Sequence, residues 1–199
     1  MSHATERNPT HIHTNLALEI SRAAQIVCAG GVVAYPTEAV FGLGCDPANQ
    51  QAVEKLLALK QRPADKGLIL IAADFAQLEP FLQPLSDDIM QRVMPTWPGP
   101  VTWLIPARRD ALSHVRGHFD TLAVRVTAHP IAAELCRQAA SAIVSTSANT
   151  AGTSPARSAD EARRQFANRI EFVLDGPLGD RKRPTEIRDA RTGAVIRAA

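Results

Sequence analysis

Cysteine is scarce and odd in number: Cys28, Cys45 and Cys136 stand far apart in a chain of 199 residues. That scatter suits reduced thiols better than a disulfide framework, and no pair has the separation of zinc ligands, so no metal site is expected. Aromatic residues make up 5% of the chain, thin material for a surface that stacks nucleic-acid bases. A formal net charge of +2 excludes a histone-like polycation. No apolar run approaches the length a bilayer requires, and residues 1–15 lack the apolar centre of a signal peptide. The expected location is therefore the cytoplasm. Familiar motifs are missing too. There is no Gly-x-x-x-x-Gly-Lys-Ser/Thr loop, no Gly-x-Gly-x-x-Gly turn and no serine in a nucleophile elbow.

What is present supports one domain with a sizeable core, since 45% of the residues are hydrophobic. Residues 1–15 are polar, include His3, His11 and His13, and read as a mobile tail; the folded domain is expected over 16–199. From Leu16 the spacing of Leu18, Ile20, Ala24 and Val27 predicts a helix stopped by Gly30-Gly31. Val32 to Tyr35 reads as a strand running into Pro36. Asp46 as cap and Pro47 at the first helical position predict a helix that ends at Lys60. Strands are expected at Leu68–Ile71, Val101–Ile105, Leu122–Val126, Ala142–Val144, Phe172–Leu174 and Ala194–Arg197. Helices are expected after the caps Asp74, Ser86 and Ser158, and over Pro130–Ala140. This interleaving predicts an α/β fold, with helices on the faces of a sheet. Antiparallel pairing of Leu122–Arg125 with Pro184–Arg188 would make that sheet mixed.

Four segments carry candidate chemistry. Lys60, Arg62 and Lys66 put three cations within seven residues, just before the apolar run Leu68-Ile69-Leu70-Ile71. Their repulsion is relieved by a bound anion, or they are ordinary charge at a helix C-terminus. Thr37 and Glu38 follow a strand and are succeeded by Gly42 and Gly44; they form a turn or meet a ligand. Ser145-Thr146-Ser147-Ala148-Asn149 supplies hydroxyls and an amide for phosphate or ribose, or for its own backbone. Arg125 interrupts an apolar alternation, and such a charge is more often solvated than paired. Two further basic groups, Arg108/Arg109/Arg116 and Arg181/Lys182/Arg183/Arg188, form a cationic hollow only if the fold brings them together. Cations and hydroxyls without an evident nucleophile suit stabilisation of phosphate charge.

In order and spacing, six stretches resemble the YrdC/TsaC family of threonylcarbamoyl-AMP synthases, and specifically its short bacterial TsaC type. They are Tyr35-Pro36-Thr37-Glu38-Ala39-Val40-Phe41-Gly42-Leu43-Gly44, Lys60-Gln61-Arg62-Pro63-Ala64-Asp65-Lys66-Gly67-Leu68-Ile69, Trp97-Pro98-Gly99-Pro100-Val101-Thr102, Ala123-Val124-Arg125-Val126, Ser145-Thr146-Ser147-Ala148-Asn149 and Glu186-Ile187-Arg188-Asp189. The resemblance implies an open, twisted, mixed α/β sheet around a large cationic cavity. It implies that L-threonine, bicarbonate and ATP, with Mg2+, give L-threonylcarbamoyladenylate and pyrophosphate, for tRNA modification completed by the transferases TsaD, TsaB and TsaE.

By motif, the resemblance gives Lys60, Arg62 and Lys66 a catalytic role in managing phosphate charge. It places Lys60, Arg62, Thr121, Ser147 and Asn149 at ATP, and Thr37, Arg125, Ser145 and Thr185 around threonine. Two departures stand out: Ile71 where longer members carry a histidine, and Thr185-Glu186-Ile187 in place of Ser-Thr-Ile. The rival reading is an RNA-binding protein without ATP chemistry.

Overall fold

The computed structural model describes residues 9–199, with side chains from residue 15. In chain order the main elements are α1 (Pro9–Cys28), β1 (Val33–Pro36), β2 (Phe41–Gly44), α2 (Gln50–Lys60), β3 (Ile69–Ala72) and α3 (Asp87–Val93). They continue with β4 (Val101–Pro106), α4 (Ser113–Arg116), β5 (Thr121–Val126), α5 (Pro130–Gln138) and β6 (Ile143–Ser147). The last are α6 (Ala159–Phe166), β7 (Phe172–Val173), β8 (Glu186–Asp189) and β9 (Val195–Arg197). The strands form one sheet in the order β7-β1-β2-β6-β3-β5-β4-β8-β9. It is mixed, as expected: β3 and β5 run parallel, while β3–β6 and β4–β5 are antiparallel.

The source of that mixture differs from the expectation. The Leu122 and Pro184 runs do not pair, because β4 lies between them, antiparallel to β5 and parallel to β8. Trp103 and Ile105 of β4 are fully buried, and such a strand gains most from a neighbour on each side. α1 starts at Pro9, inside the segment expected as tail. The remainder of that tail, residues 1–8, and the side chains of His3, His11 and His13 lie outside the described residues. The cap of α2 also moves. Asn49 Oδ1 accepts the Ala52 N–H at 3.1 Å, while Asp46 Oδ1 accepts from Ala48 at 2.8 Å in the preceding turn.

No strand is expected from the sequence at Phe41–Gly44, yet this segment, which carries Gly42 and Gly44, is a strand hydrogen-bonded to β1. Glycine is needed there for close packing: a Cβ on Gly44 would stand 2.7 Å from the Val144 carbonyl and 2.8 Å from the Tyr35 ring.

Period-two alternation sorts the sheet into faces. Leu43, Leu70, Trp103, Leu122, Val124 and Val144 point to a core closed by helices that include α2 and α6, which contribute Leu56 and Phe166. On the opposite face Val33, Tyr35, Ile71 and Ile143 pack under Ile20 and Val27 of α1 and Ile131 and Leu135 of α5. Ile69 touches this second cluster and also lines a cavity. The cavity occupies the part of the same face that α1 and α5 leave open. Among the described residues no helix is long and apolar enough to cross a membrane.

Candidate functional site

Strand register assembles the cavity floor. Ser145, Ile69, Ala123 and Leu104 are successive partners across β6, β3, β5 and β4. Ala123 is partly exposed in an otherwise buried strand, because its short side chain forms the floor. The cavity measures about 460 Å³ and is bordered by Thr37, Glu38, Thr121, Ser147 and Thr185 as well as Arg125. Its size is within the range of small-molecule sites.

The cavity is cationic. Arg62, Lys66, Arg116, Arg125 and Arg197 line it against Glu38 as the acidic lining residue among the described side chains. Of the basic groups singled out by sequence, only part converges here. Arg188 instead lies over the Trp103 ring, 5.9 Å from its centroid, and pairs with Glu186. Arg108 turns to the Leu82 carbonyl. Arg197 was not anticipated: nothing in Val195-Ile196-Arg197 marks it, and only the register Ile187↔Arg197 brings it to the cavity.

These cations stand close enough to disfavour one another. Burial, then the charges of Arg125 and Arg62, pull the Arg197 guanidinium below its ordinary value. Arg62 is lowered by burial. Burial and the neighbouring Arg62 bring Lys60 down to about 8. An anion in the cavity relieves all three.

Lys60 is 7% exposed and sits just behind the cavity wall. Its Nζ donates to the Ser147 carbonyl at 2.5 Å, and to the Asn149 carbonyl and Oδ1 at 3.0 Å each. Ser147 Oγ is 3.5 Å away and donates to Asn149 Oδ1 at 2.6 Å. Asn149 does not face the cavity; its Nδ2 donates to the Thr150 and Thr153 carbonyls. Arg62 Nη2 donates to the carbonyls of Lys66 and Gly67 at 3.2 and 2.9 Å, fixing the basic loop, while its Nε is buried without a partner. That loop abuts Gly117, whose φ of +64° and lack of a Cβ let it pass the Asp65 carbonyl, which a Cβ would approach to 2.7 Å.

At the other end Thr37 donates its hydroxyl to the Val40 carbonyl at 2.6 Å, so it closes the β1–β2 turn and borders the cavity at once. Arg125 is 5% exposed, which overturns the solvated reading. Its Nη2 donates to Glu38 Oε2 at 3.1 Å and its Nη1 to Thr185 Oγ1 at 3.0 Å. Its Nε is buried and unpartnered. A buried charge survives only with partners, and the sequence gives no sign that Glu38, 87 positions away, is one. Ile71 is fully buried under α1 and α5, on the ladder beside Arg125. Burial raises the thiols of Cys45 and Cys136 to about 12, leaving them unsuited to nucleophilic work.

Fold and cavity define an open mixed α/β sheet protein whose exposed sheet face carries a cation-lined ligand cavity. Residues 25–199 match the model of the Sua5/YciO/YrdC family, described as "Telomere recombination", and the chain belongs to that family. The threonylcarbamoyl-AMP synthase of Nitrosococcus oceani is 56% identical over 175 residues, spanning 88% of this chain and 95% of that one. The protein of the same name from Cellvibrio japonicus is 51% identical over 186 residues, spanning 94% and 98%. The crystal structure of P. abyssi Sua5 complexed with L-threonine superposes with a TM-score of 0.82 at 33% identity. It covers 87% of this chain, which spans about half of that one (51%).

Proposed function

We propose that the chain is a threonylcarbamoyl-AMP synthase. L-Threonine, bicarbonate and ATP give L-threonylcarbamoyladenylate, pyrophosphate and water. The observation that carries this reading is one cavity holding a buried guanidinium and hydroxyls at one end and a crowded set of cations at the other. The first suits an amino-acid carboxylate, the second a triphosphate. Arg125, with Thr37, Ser145 and Thr185, receives threonine. Its amine captures carbon dioxide, and the carbamate oxygen attacks the α-phosphorus as pyrophosphate departs. Lys60, Arg62, Lys66, Thr121 and Ser147 hold the nucleotide and offset the charge on the leaving group. Asn149 supports Ser147 and Lys60 from behind.

The described residues contain no group of three His, Cys, Asp or Glu side chains that could hold a metal. The cavity carboxylate, Glu38, is committed to Arg125 and Thr127. The chain's own residues therefore do not fit a resident Mg2+ site; magnesium enters as the MgATP substrate. The product is a mixed anhydride, an activated acyl donor that calls for a transferase. TsaD with TsaB and TsaE would place its acyl group on the tRNA adenosine beside the anticodon.

Pyrophosphate release from ATP tests this function. Release is expected to require threonine and bicarbonate together. No stimulation by them, accompanied by steeply salt-dependent RNA binding, would replace the synthase with the RNA-binding alternative. The floor gives a second prediction. Ala123→Phe fills open space rather than packed core, so it is expected to leave the thermal midpoint nearly unchanged. Turnover should fall on the order of 10²-fold, the loss typical of substrate displaced by about an ångström. Pyrophosphate assays and thermal unfolding on the same sample check both parts.

A further inference from the structure

Glu38 is an anomaly in a cavity that receives anions. A glutamine would fill the same space without repelling a carboxylate or a phosphate, so the charge needs a reason. Its two oxygens are both used: Oε2 accepts from Arg125 Nη2 at 3.1 Å, and Oε1 from Thr127 Oγ1 at 2.6 Å. Thr127 Oγ1 in turn accepts the His129 N–H at 3.1 Å. His129 caps α5: Nδ1 accepts from Ala132 at 3.4 Å, leaving Nε2 to donate to the Pro177 carbonyl at 3.1 Å.

The main chain of the same corner is also tied. Gly179 and Arg181 donate their N–H groups to the carbonyls of Thr37 and Glu38, each at 3.0 Å. The segment so anchored runs on to Thr185, whose hydroxyl accepts from Arg125 Nη1 at 3.0 Å. The hydrogen bonds therefore close a ring from Arg125 through Glu38 and residues 179–184 back to Arg125. Burial pushes the Glu38 carboxyl up, but the Arg125 charge and the Thr127 bond outweigh it and hold the group below its ordinary value.

We propose that Glu38 is the positioning residue for Arg125, holding its guanidinium in one orientation with Nε uncommitted, and so setting the affinity of the cavity for the α-carboxylate of its amino-acid substrate. This rests on the synthase reading. An arginine loses much rotamer freedom when it engages a ligand, and a guanidinium already fixed on two edges has lost it beforehand. Thr127 carries the same function one bond further out.

Charge and positioning predict opposite signs for Glu38→Gln. If Glu38 only neutralises Arg125, removing its charge tightens threonine binding. If it positions Arg125, the KM for threonine rises by about tenfold or more, while the KM for ATP stays within about twofold. Thr127 has no charge to lose: Thr127→Val is expected to raise the threonine KM in the same way, and Thr127→Ser, which keeps the hydroxyl, to restore it. Titration calorimetry with L-threonine reads binding without turnover. Wild type that neither binds threonine nor releases pyrophosphate with it sinks the synthase reading. Active wild type overturns the positioning role alone in either of two cases. One is that Glu38→Gln binds threonine as well as wild type or better. The other is that it loses threonine and ATP affinity equally with a lowered thermal midpoint.

Discussion

Arg125→Met is expected to reduce kcat/KM for threonine by about 10²–10³-fold, a loss of about 3–4 kcal/mol that lies within the roughly 2–5 kcal/mol lost when one partner of a buried charge pair is truncated. It is also expected to lower folding stability by about 3–5 kcal/mol. The two losses have different origins. The first is the missing partner for the substrate carboxylate. The second is Glu38, 7% exposed, left buried with only the Thr127 hydroxyl to satisfy it.

The double substitution Arg125→Met with Glu38→Gln separates them, since it removes the stranded charge but restores no carboxylate receptor. Stability should largely return and activity should not. A pH series adds a sign. The Glu38 carboxyl is held below its ordinary value of 4.5, so the ion pair contributes fully above that value and is lost as pH falls through the depressed one. The stability gap between wild type and Arg125→Met should therefore be widest near neutrality and close in acid. Urea melts at several pH values measure it; a gap independent of pH would refute the ion pair as its cause.

The basic loop was legible in the sequence because its signals are local. Helical spacing through Leu56, Leu57 and Leu59 ends at Lys60, and Pro63 bars continuation. The structure ends α2 at Lys60, and Arg62 and Lys66 line the cavity. Ser145, Thr146 and Ser147, which also line it, were legible for the same reason, whereas Asn149 in the same run turns away. What escaped depends on contacts far apart in the chain. β2 carries glycine at alternate positions, which propensity counts against a strand; the Tyr35 ring that makes those glycines necessary comes from β1. Arg197 reaches the cavity through the β8–β9 register, and Glu38, in the β1–β2 turn, meets Arg125 of β5 although β6 and β3 stand between them in the sheet order. No spacing rule encodes such meetings. The alternatives left open at Thr37 and at Ser147 proved not to exclude one another, since each side chain satisfies a local turn and borders the cavity.

Lys60 carries the other large effect, and its surroundings decide which substitution is informative. Lys60→Ala removes a cation from the nucleotide end but also removes the Lys60 hydrogen bonds to the Ser147 carbonyl and to both oxygens of Asn149. The Ser147 carbonyl keeps the Asn149 N–H at 3.0 Å and Asn149 Oδ1 keeps the Ser147 hydroxyl at 2.6 Å. The Asn149 carbonyl, however, is left unpaired at about 1–3 kcal/mol, and the loosened Ser145–Asn149 turn would disturb Ser147 as well. Loss of activity in the alanine variant, on the order of 10³-fold by comparison with removal of other charge-stabilising donors, therefore mixes charge with geometry. The pH profile isolates the charge.

Burial and Arg62 bring the Lys60 ammonium down to about 8, so in the free protein the cation gives way to the neutral amine above that pH. kcat/KM for ATP, which reports the free enzyme, is expected to be level below pH 8 and to fall by about tenfold per unit above it. Lys60→Arg keeps its charge through this range and should lose the alkaline limb even if its absolute activity is lower. Stability moves the opposite way. The unfolded chain holds this proton up to about the ordinary value of 10.5, so between 8 and 10.5 folding grows more favourable with pH as the buried amine sheds its charge. An alkaline limb that persists unchanged in Lys60→Arg assigns the titration to another group and removes Lys60 from the handling of phosphate charge.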